Sequence, residues 1–144
     1  MQRVKAEGRF EIFYLPLRKF ITFMSIRKIL VVDDSPTDRH VLRNILIENG
    51  YQVGIAESGE EGVSKIKESM PDLVLMDVVM PGMNGFQATR VLSRDEATQH
   101  IPIILCTSKG QETDKIWGMR QGARDYITKP IVAEELLQKI SQLN

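Results

Sequence analysis

Residues 72–85 read Asp72-Leu-Val-Leu-Met-Asp77-Val-Val-Met-Pro-Gly-Met-Asn-Gly85, and the fold turns on how this stretch is read. Residues 73–76 form a short, uninterrupted apolar run, the pattern of a strand covered on both faces. One carboxylate, Asp77, stands directly after it. Pro81-Gly82 and Asn84-Gly85 are turn signals that take the chain out of the sheet. An acid at the carboxyl end of a central strand, under a loop, lies where open α/β sheets place their ligands. An isolated Asp of this kind more often caps a turn, so its meaning has to come from the rest of the chain.

Upstream, residues 29–32 are a second apolar run and end in Asp33-Asp34. Ser35-Pro36-Thr37-Asp38 then reads as a helix start, with a serine N-cap, proline at N1 and an acid at N3. Val41, Leu42, Ile45 and Leu46 recur at helical spacing, and Gly50 supplies the stop. Residues 53–56 are a weak strand interrupted by Gly54. Ser58-Gly59-Glu60-Glu61 is a capping box, with Val63, Ile66 and Met70 as the apolar stripe behind it and Pro71 closing the helix.

Downstream of Asp77, the pattern predicts a helix over 85–94 and a third strong apolar run over 101–106, followed by Thr107-Ser108. A helix over 111–121, a short strand over 125–128 and a last helix over 133–143 complete the alternation. That last helix carries Leu136, Leu137, Ile140 and Leu143 on one face. Five strands alternating with five helices call for a parallel sheet covered on both sides. The apolar first, third and fourth strands belong at the centre. The second contains Gly54 and the fifth contains Asp125 and Thr128, which suits edges. The order 2-1-3-4-5 satisfies these constraints.

At 144 residues the chain has room for one ordinary domain. Lysine plus arginine equals aspartate plus glutamate, 19 against 19, and no basic block marks a nucleic-acid surface. Cys106 is the single cysteine, so no disulfide forms within the chain. No apolar stretch approaches the ~18 residues of a membrane span. In residues 1–24, Phe10, Ile12, Phe13, Tyr14, Leu15, Leu17, Phe20, Ile21 and Phe23 mix with Glu7, Glu11, Arg18 and Lys19. Those charges interrupt any signal-peptide core, and Pro16 would break an amphipathic membrane helix. Residues 1–24 are therefore expected to be a leader, disordered or non-native, with Met24 as an alternative start.

In a parallel sheet the polar strand endings fall on one rim. Asp33, Asp34, Asp77, Thr107, Ser108 and Lys129, which precedes Pro130, should thus converge on one pocket. Two carboxylates about 4 Å apart repel by ~4 kcal/mol at an effective dielectric of 20. Protonation or a bound cation relieves this, and oxygen-only ligands favour Mg²⁺. On this count three carboxylates, Lys129 and a divalent ion sum to neutrality, and replacing Asp33 by alanine should stabilise the metal-free protein. Asp77 then faces an electrophile whose product is anionic, for which a phosphoryl group is the natural candidate.

These residues resemble the receiver domains of two-component response regulators, the CheY-like family. The resemblance is carried by Val-Val-Asp33-Asp34-Ser, Leu-Met-Asp77-Val-Val-Met-Pro-Gly-Met-Asn-Gly, Thr107-Ser108 and Tyr126-Ile-Thr-Lys129-Pro130, and it covers residues 26–144. It implies a flavodoxin-like (βα)5 three-layer sandwich with a receiver domain over 25–144; 2-1-3-4-5 is the order already known for that fold. It implies Asp77 as phosphoacceptor and Mg²⁺ held by Asp33, Asp34, Asp77 and the backbone carbonyl of Val79. Thr107 and Lys129 would contact the phosphoryl group, the bond to Pro130 would be cis, and Thr107 with Tyr126 would form a switch. The face of helix four, strand five and helix five would then change its partner preference, with Trp117 on helix four as a reporter.

The implied partners are a histidine kinase and a downstream protein, with neither nucleic acid nor membrane, in a cytoplasmic monomer or weak dimer that is not an enzyme. Within the family, residues 84–90 and 111–126 are similar to a stand-alone receiver that controls type IV pilus twitching motility. Alternatives are a phosphate sink, a chemotaxis-type receiver of another pathway, a receiver with a DNA-binding output, and an aspartate phosphatase of the haloacid dehalogenase type. That last type wants a second acid at position 79, which is valine. His40 and His100 read as solvated, and Cys106 as a small core residue.

Overall fold

The computed structural model describes residues 25–108 and 110–144. Five strands, β1 (Lys28–Val32), β2 (Gln52–Ala56), β3 (Leu73–Met76), β4 (Ile103–Thr107) and β5 (Asp125–Thr128), alternate with five helices. The helices are α1 (Pro36–Glu48), α2 (Gly59–Ser69), α3 (Gly85–Arg94), α4 (Glu112–Gln121) and α5 (Ala133–Ser141). All strand pairs are parallel and the order is β2-β1-β3-β4-β5, as the sequence predicts. Every residue of β3 and β4 is buried, whereas β2 shows exposed positions at the edge.

Strand alternation divides the core into two layers. Leu30, Val32, Val74, Met76, Ile103 and Leu105 point to the face covered by α2, α3 and α4. Ile29, Val31, Leu73, Leu75, Ile104 and Ile127 point to the other face, with Leu42 and Leu46 of α1 and Leu136 and Ile140 of α5. Each such side chain, fully buried, contributes about 1.5–3 kcal/mol relative to exposure. Cys106 lies in this second layer and burial pushes its thiol far above the ordinary range, which keeps it inert.

The helix starts are fixed by their caps. Ser35 Oγ accepts from Asp38 N at 3.2 Å and Ser58 Oγ from Glu61 N at 3.1 Å. The reciprocal arm expected of Glu61 is displaced by one residue: its carboxylate accepts from Glu57 N, outside the Ser58 cap. The full box stands instead at α3, where Asn84 and Gln87 each accept from the other's backbone N–H at 2.9 Å.

Three further expectations are corrected. Met70 leaves the α2 stripe, because it is the left-handed C-cap (φ 49°) that precedes Pro71, and its side chain is exposed. Val41 lies outside the buried stripe of α1 and is exposed, leaving Leu42 and Leu46 as its core. β4 begins at Ile103, because Pro102 offers no N–H to the ladder, and it extends through Thr107. The expectation for residues 1–24 lies outside the described residues. Among the described residues no helix is long and apolar enough to cross a membrane.

Candidate functional site

The register that builds the sheet also assembles its carboxyl rim. Val32 pairs with Met76, so the next residues, Asp33 and Asp77, follow side by side, and Asp77 N donates to the Val32 carbonyl at 2.8 Å. Thr107 pairs with Thr128, and Lys129 N donates to the Thr107 carbonyl at 2.9 Å, which brings the lysine onto the same rim. Asp33, Asp34 and Asp77 each offer a carboxylate oxygen within 4.8 Å of the others. Asp33 and Asp77 are buried, at 1% and 6% exposure, and Asp34 faces solvent. Thr107 is buried beside them.

Lys129 closes the cluster. Its Nζ lies 2.8 Å from Asp33 Oδ2 and 3.4 Å from Asp77 Oδ1. Burial alone would lower the lysine pKa, but hydrogen bonds to Asp33 and to a further acid outweigh it and raise it above the ordinary value. That further acid is Asp38, whose Oδ2 also lies 2.8 Å from Nζ. The sequence reading gave Asp38 only a role at N3 of α1. The available signal was its position on the first helical turn after Asp33-Asp34, which faces the same rim.

Counting Asp38 changes the electrostatics: four carboxylates meet one ammonium, so a divalent cation leaves one negative charge rather than neutrality. Asp77 bears most of the strain. Burial first, and the charge of Asp33 second, push its pKa up to about 6, against the opposing pull of Lys129 and the Val78 N–H. Asp77 Oδ1 accepts that N–H at 2.9 Å and faces Lys129, so both contacts fall on one oxygen and Oδ2 lies outside them.

The carboxylate set fits a hard divalent cation in its chemistry and spacing. Carboxylate oxygens from three residues within 4.8 Å of one another are the hard, oxygen-only donor set that Mg²⁺ selects. Val79, on the loop two residues beyond Asp77, has a largely exposed side chain. The loop continues to Met83, whose N–H donates to Glu60 Oε2 of α2 at 3.0 Å.

Tyr126, on β5, is packed in the core layer with Ala88, Leu92 and Leu105, and its hydroxyl has no hydrogen-bond partner. Burial and the charge of Asp114 push its pKa up to about 12, so it stays protonated. Lys115 Nζ of α4 stands 5.9 Å from the ring centroid. The peptide between Lys129 and Pro130 is cis.

α4 touches this region with little of itself. Only Gly118 is buried, while Ile116, Trp117 and Met119 are each nearly half exposed. By helix propensity alone, glycine at this position costs about 1 kcal/mol relative to alanine. Here it is the point of closest approach: a Cβ would stand 2.5 Å from Leu105 Cδ1 and 3.3 Å from Phe86 Cε1.

A doubly wound parallel sheet with this acidic rim and lysine defines a signalling receiver. The chain belongs to the response regulator receiver domain family, whose model matches residues 29–141. It is similar to Protein PilH of Pseudomonas aeruginosa, with 56% identity over 114 residues that span 79% of this chain and 94% of PilH. The phosphate regulon transcriptional regulatory protein PhoB of Escherichia coli is 40% identical over 114 residues, and this chain spans 50% of its length. Among solved structures, chemotaxis protein CheY4 of Vibrio cholerae superimposes with a TM-score of 0.78 at 29% identity, covering 83% of this chain and all of CheY4.

Proposed function

We propose that this chain is a response regulator receiver that accepts a phosphoryl group on Asp77 from the phosphohistidine of a histidine kinase. The observation that carries the reading is the convergence of Asp33, Asp34 and Asp77 oxygens within 4.8 Å of one another, with Lys129 3.4 Å from Asp77. An Asp77 carboxylate oxygen forms the new bond to phosphorus as the bond from phosphorus to the kinase imidazole nitrogen breaks. The imidazole nitrogen leaves with that electron pair. Asp33, Asp34, Asp77 and the Val79 carbonyl would hold Mg²⁺, which would supply charge neutralisation at the phosphoryl oxygens. Lys129 and the Thr107 hydroxyl contact the same oxygens. Even with its pKa raised to about 6 in the metal-free fold, Asp77 is largely ionised at pH 7 and able to attack.

The output follows from packing. Thr107 and Tyr126 lie on neighbouring strands, and a shift of Thr107 toward the phosphoryl group would open space for a Tyr126 ring whose hydroxyl has no hydrogen bond to lose. α4, anchored through one glycine, would follow, and the α4-β5-α5 face would alter its affinity for a protein partner. The identity with PilH supports a place in type IV pilus twitching motility. There the chain would act by binding rather than by turnover, as a cytoplasmic monomer or weak dimer. The test is incubation with acetyl phosphate and Mg²⁺ followed by intact mass. One phosphoryl group should be added, and none to Asp77→Asn or in EDTA. Wild type that gains no mass across several donors would remove the proposal.

A further inference from the structure

We infer that Asp38 is a positioning residue for Lys129, an exchangeable anchor that competes with the incoming phosphoryl group for the ammonium. The inference rests on the phosphoacceptor reading of Asp77. An ammonium has three donors and no more. Lys129 Nζ already faces three carboxylates, Asp33 and Asp38 at 2.8 Å each and Asp77 at 3.4 Å. Two of its three donors are committed to short bonds with Asp33 and Asp38, so a phosphoryl oxygen that draws on more than the remaining one displaces an acid.

The three partners differ in what release would cost. The Asp33 side chain is 1% exposed, and losing the lysine would leave a buried charge without its cation. Asp77 is the reacting group itself. The Asp38 side chain is 42% exposed, so water can replace the lysine there with little loss. The geometry also gives it room: Asp38 and Lys129 border a cleft of about 130 Å³ between α1 and the segment after β5, completed by Val41, Leu42, Pro130 and Ile131. The Asp38 backbone, by contrast, is fixed, because its N–H is held by the Ser35 cap. Thus the carboxylate can swing while the helix stays in place. Before phosphorylation Asp38 keeps Lys129 directed into the rim, and afterwards it is the partner that yields.

The experiment compares initial rates of phosphoryl incorporation from acetyl phosphate with Mg²⁺, by intact mass, for wild type, Asp38→Asn, Asp38→Ala and Asp38→Glu. Removing the competing carboxylate should raise the rate roughly two- to fivefold at sub-saturating acetyl phosphate, the scale of a half-exposed ion pair. The gain should appear as a lower half-saturating concentration with an unchanged maximal rate. Asp38→Glu should return to the wild-type value. An acid that merely complements the α1 dipole would change thermal stability and leave these rates alone. Rates for Asp38→Asn and Asp38→Ala equal to or below wild type would overturn the inference while leaving Asp77 as acceptor. No incorporation by the wild type would remove the acceptor reading, and the inference with it.

Discussion

Gly85 is packed directly onto Asp77: a Cβ built at Gly85 would overlap the Asp77 carbonyl oxygen and stand 2.8 Å from Val78 Cα. The Gly85 N–H also donates to the Val78 carbonyl at 2.9 Å. The first residue of α3 is thus pressed against the peptide that carries the acidic side chain. Gly85→Ala should cost about 2–4 kcal/mol, because backbone rather than a movable side chain has to give. It should also slow phosphoryl incorporation by displacing Asp77. Chemical denaturation checks the first effect and intact mass the second. A variant as stable as wild type would show that the loop yields freely.

The raised pKa of Asp77 has a defined sign in stability. Between its ordinary value of 3.8 and the folded value of about 6, the native state binds more proton than the unfolded chain. This contribution is fully present below pH 3.8 and is lost as pH rises through 6. In EDTA, Asp77→Asn should therefore be more stable than wild type at pH 7.5, by on the order of 1–3 kcal/mol. The difference should shrink as pH falls toward 4. Denaturant titrations of the two proteins at several pH values measure it directly, and a pH-independent difference would contradict the assignment.

Asp33 presents the opposite case, and here the structure revises the expectation from charge counting. Its Oδ2 holds Lys129, and its Oδ1 accepts from Ser35 N at 2.9 Å, at the start of α1. Asp33→Ala should lower metal-free stability by about 1–3 kcal/mol rather than raise it, because two part-buried contacts lose their acceptor. Exposed Asp34 makes no such contact among the described residues, so Asp34→Ala should be near neutral in EDTA. Wild type should gain thermal stability with Mg²⁺, by about 2.7 kcal/mol at a hundredfold excess over Kd, and both variants should lose most of that gain. Thermal melts with and without Mg²⁺ separate the two residues.

Gly118→Ala tests the attachment of α4. Helix propensity favours alanine by about 1 kcal/mol, yet the added carbon would collide with Leu105, which is fully buried. The collision should win, with a net loss of about 1–2 kcal/mol and a shifted emission of Trp117, the neighbouring half-exposed indole. Trp117 emission should also change on phosphorylation of wild type. Fluorescence before and after acetyl phosphate, with modification verified by mass, decides both points.

The strands and the rim acids were legible because each signal was local. An apolar run followed by Asp33-Asp34, Asp77 or Thr107 states both burial and its end, and a parallel sheet does the rest. Features set by tertiary contact were not legible in the same way. Asp38 looks like any acid complementing a helix dipole until Lys129, 91 residues away, is placed beside it. Gly118 reads as a weak point until Leu105 occupies the space that a side chain would need. Met70 continues the α2 spacing by count, and only the left-handed turn forced before Pro71 removes it from the stripe.

The pairing of Val32 with Met76 does two jobs that cannot be separated. A slip of one residue in that ladder would send Asp33 to the wrong layer and, in the same movement, turn Ile29 and Val31 out of theirs. Chemical competence and a sealed interior are therefore inherited together. A mutant of this chain in which Asp33, Asp77 and Lys129 still meet has, by that fact, threaded its central strands correctly.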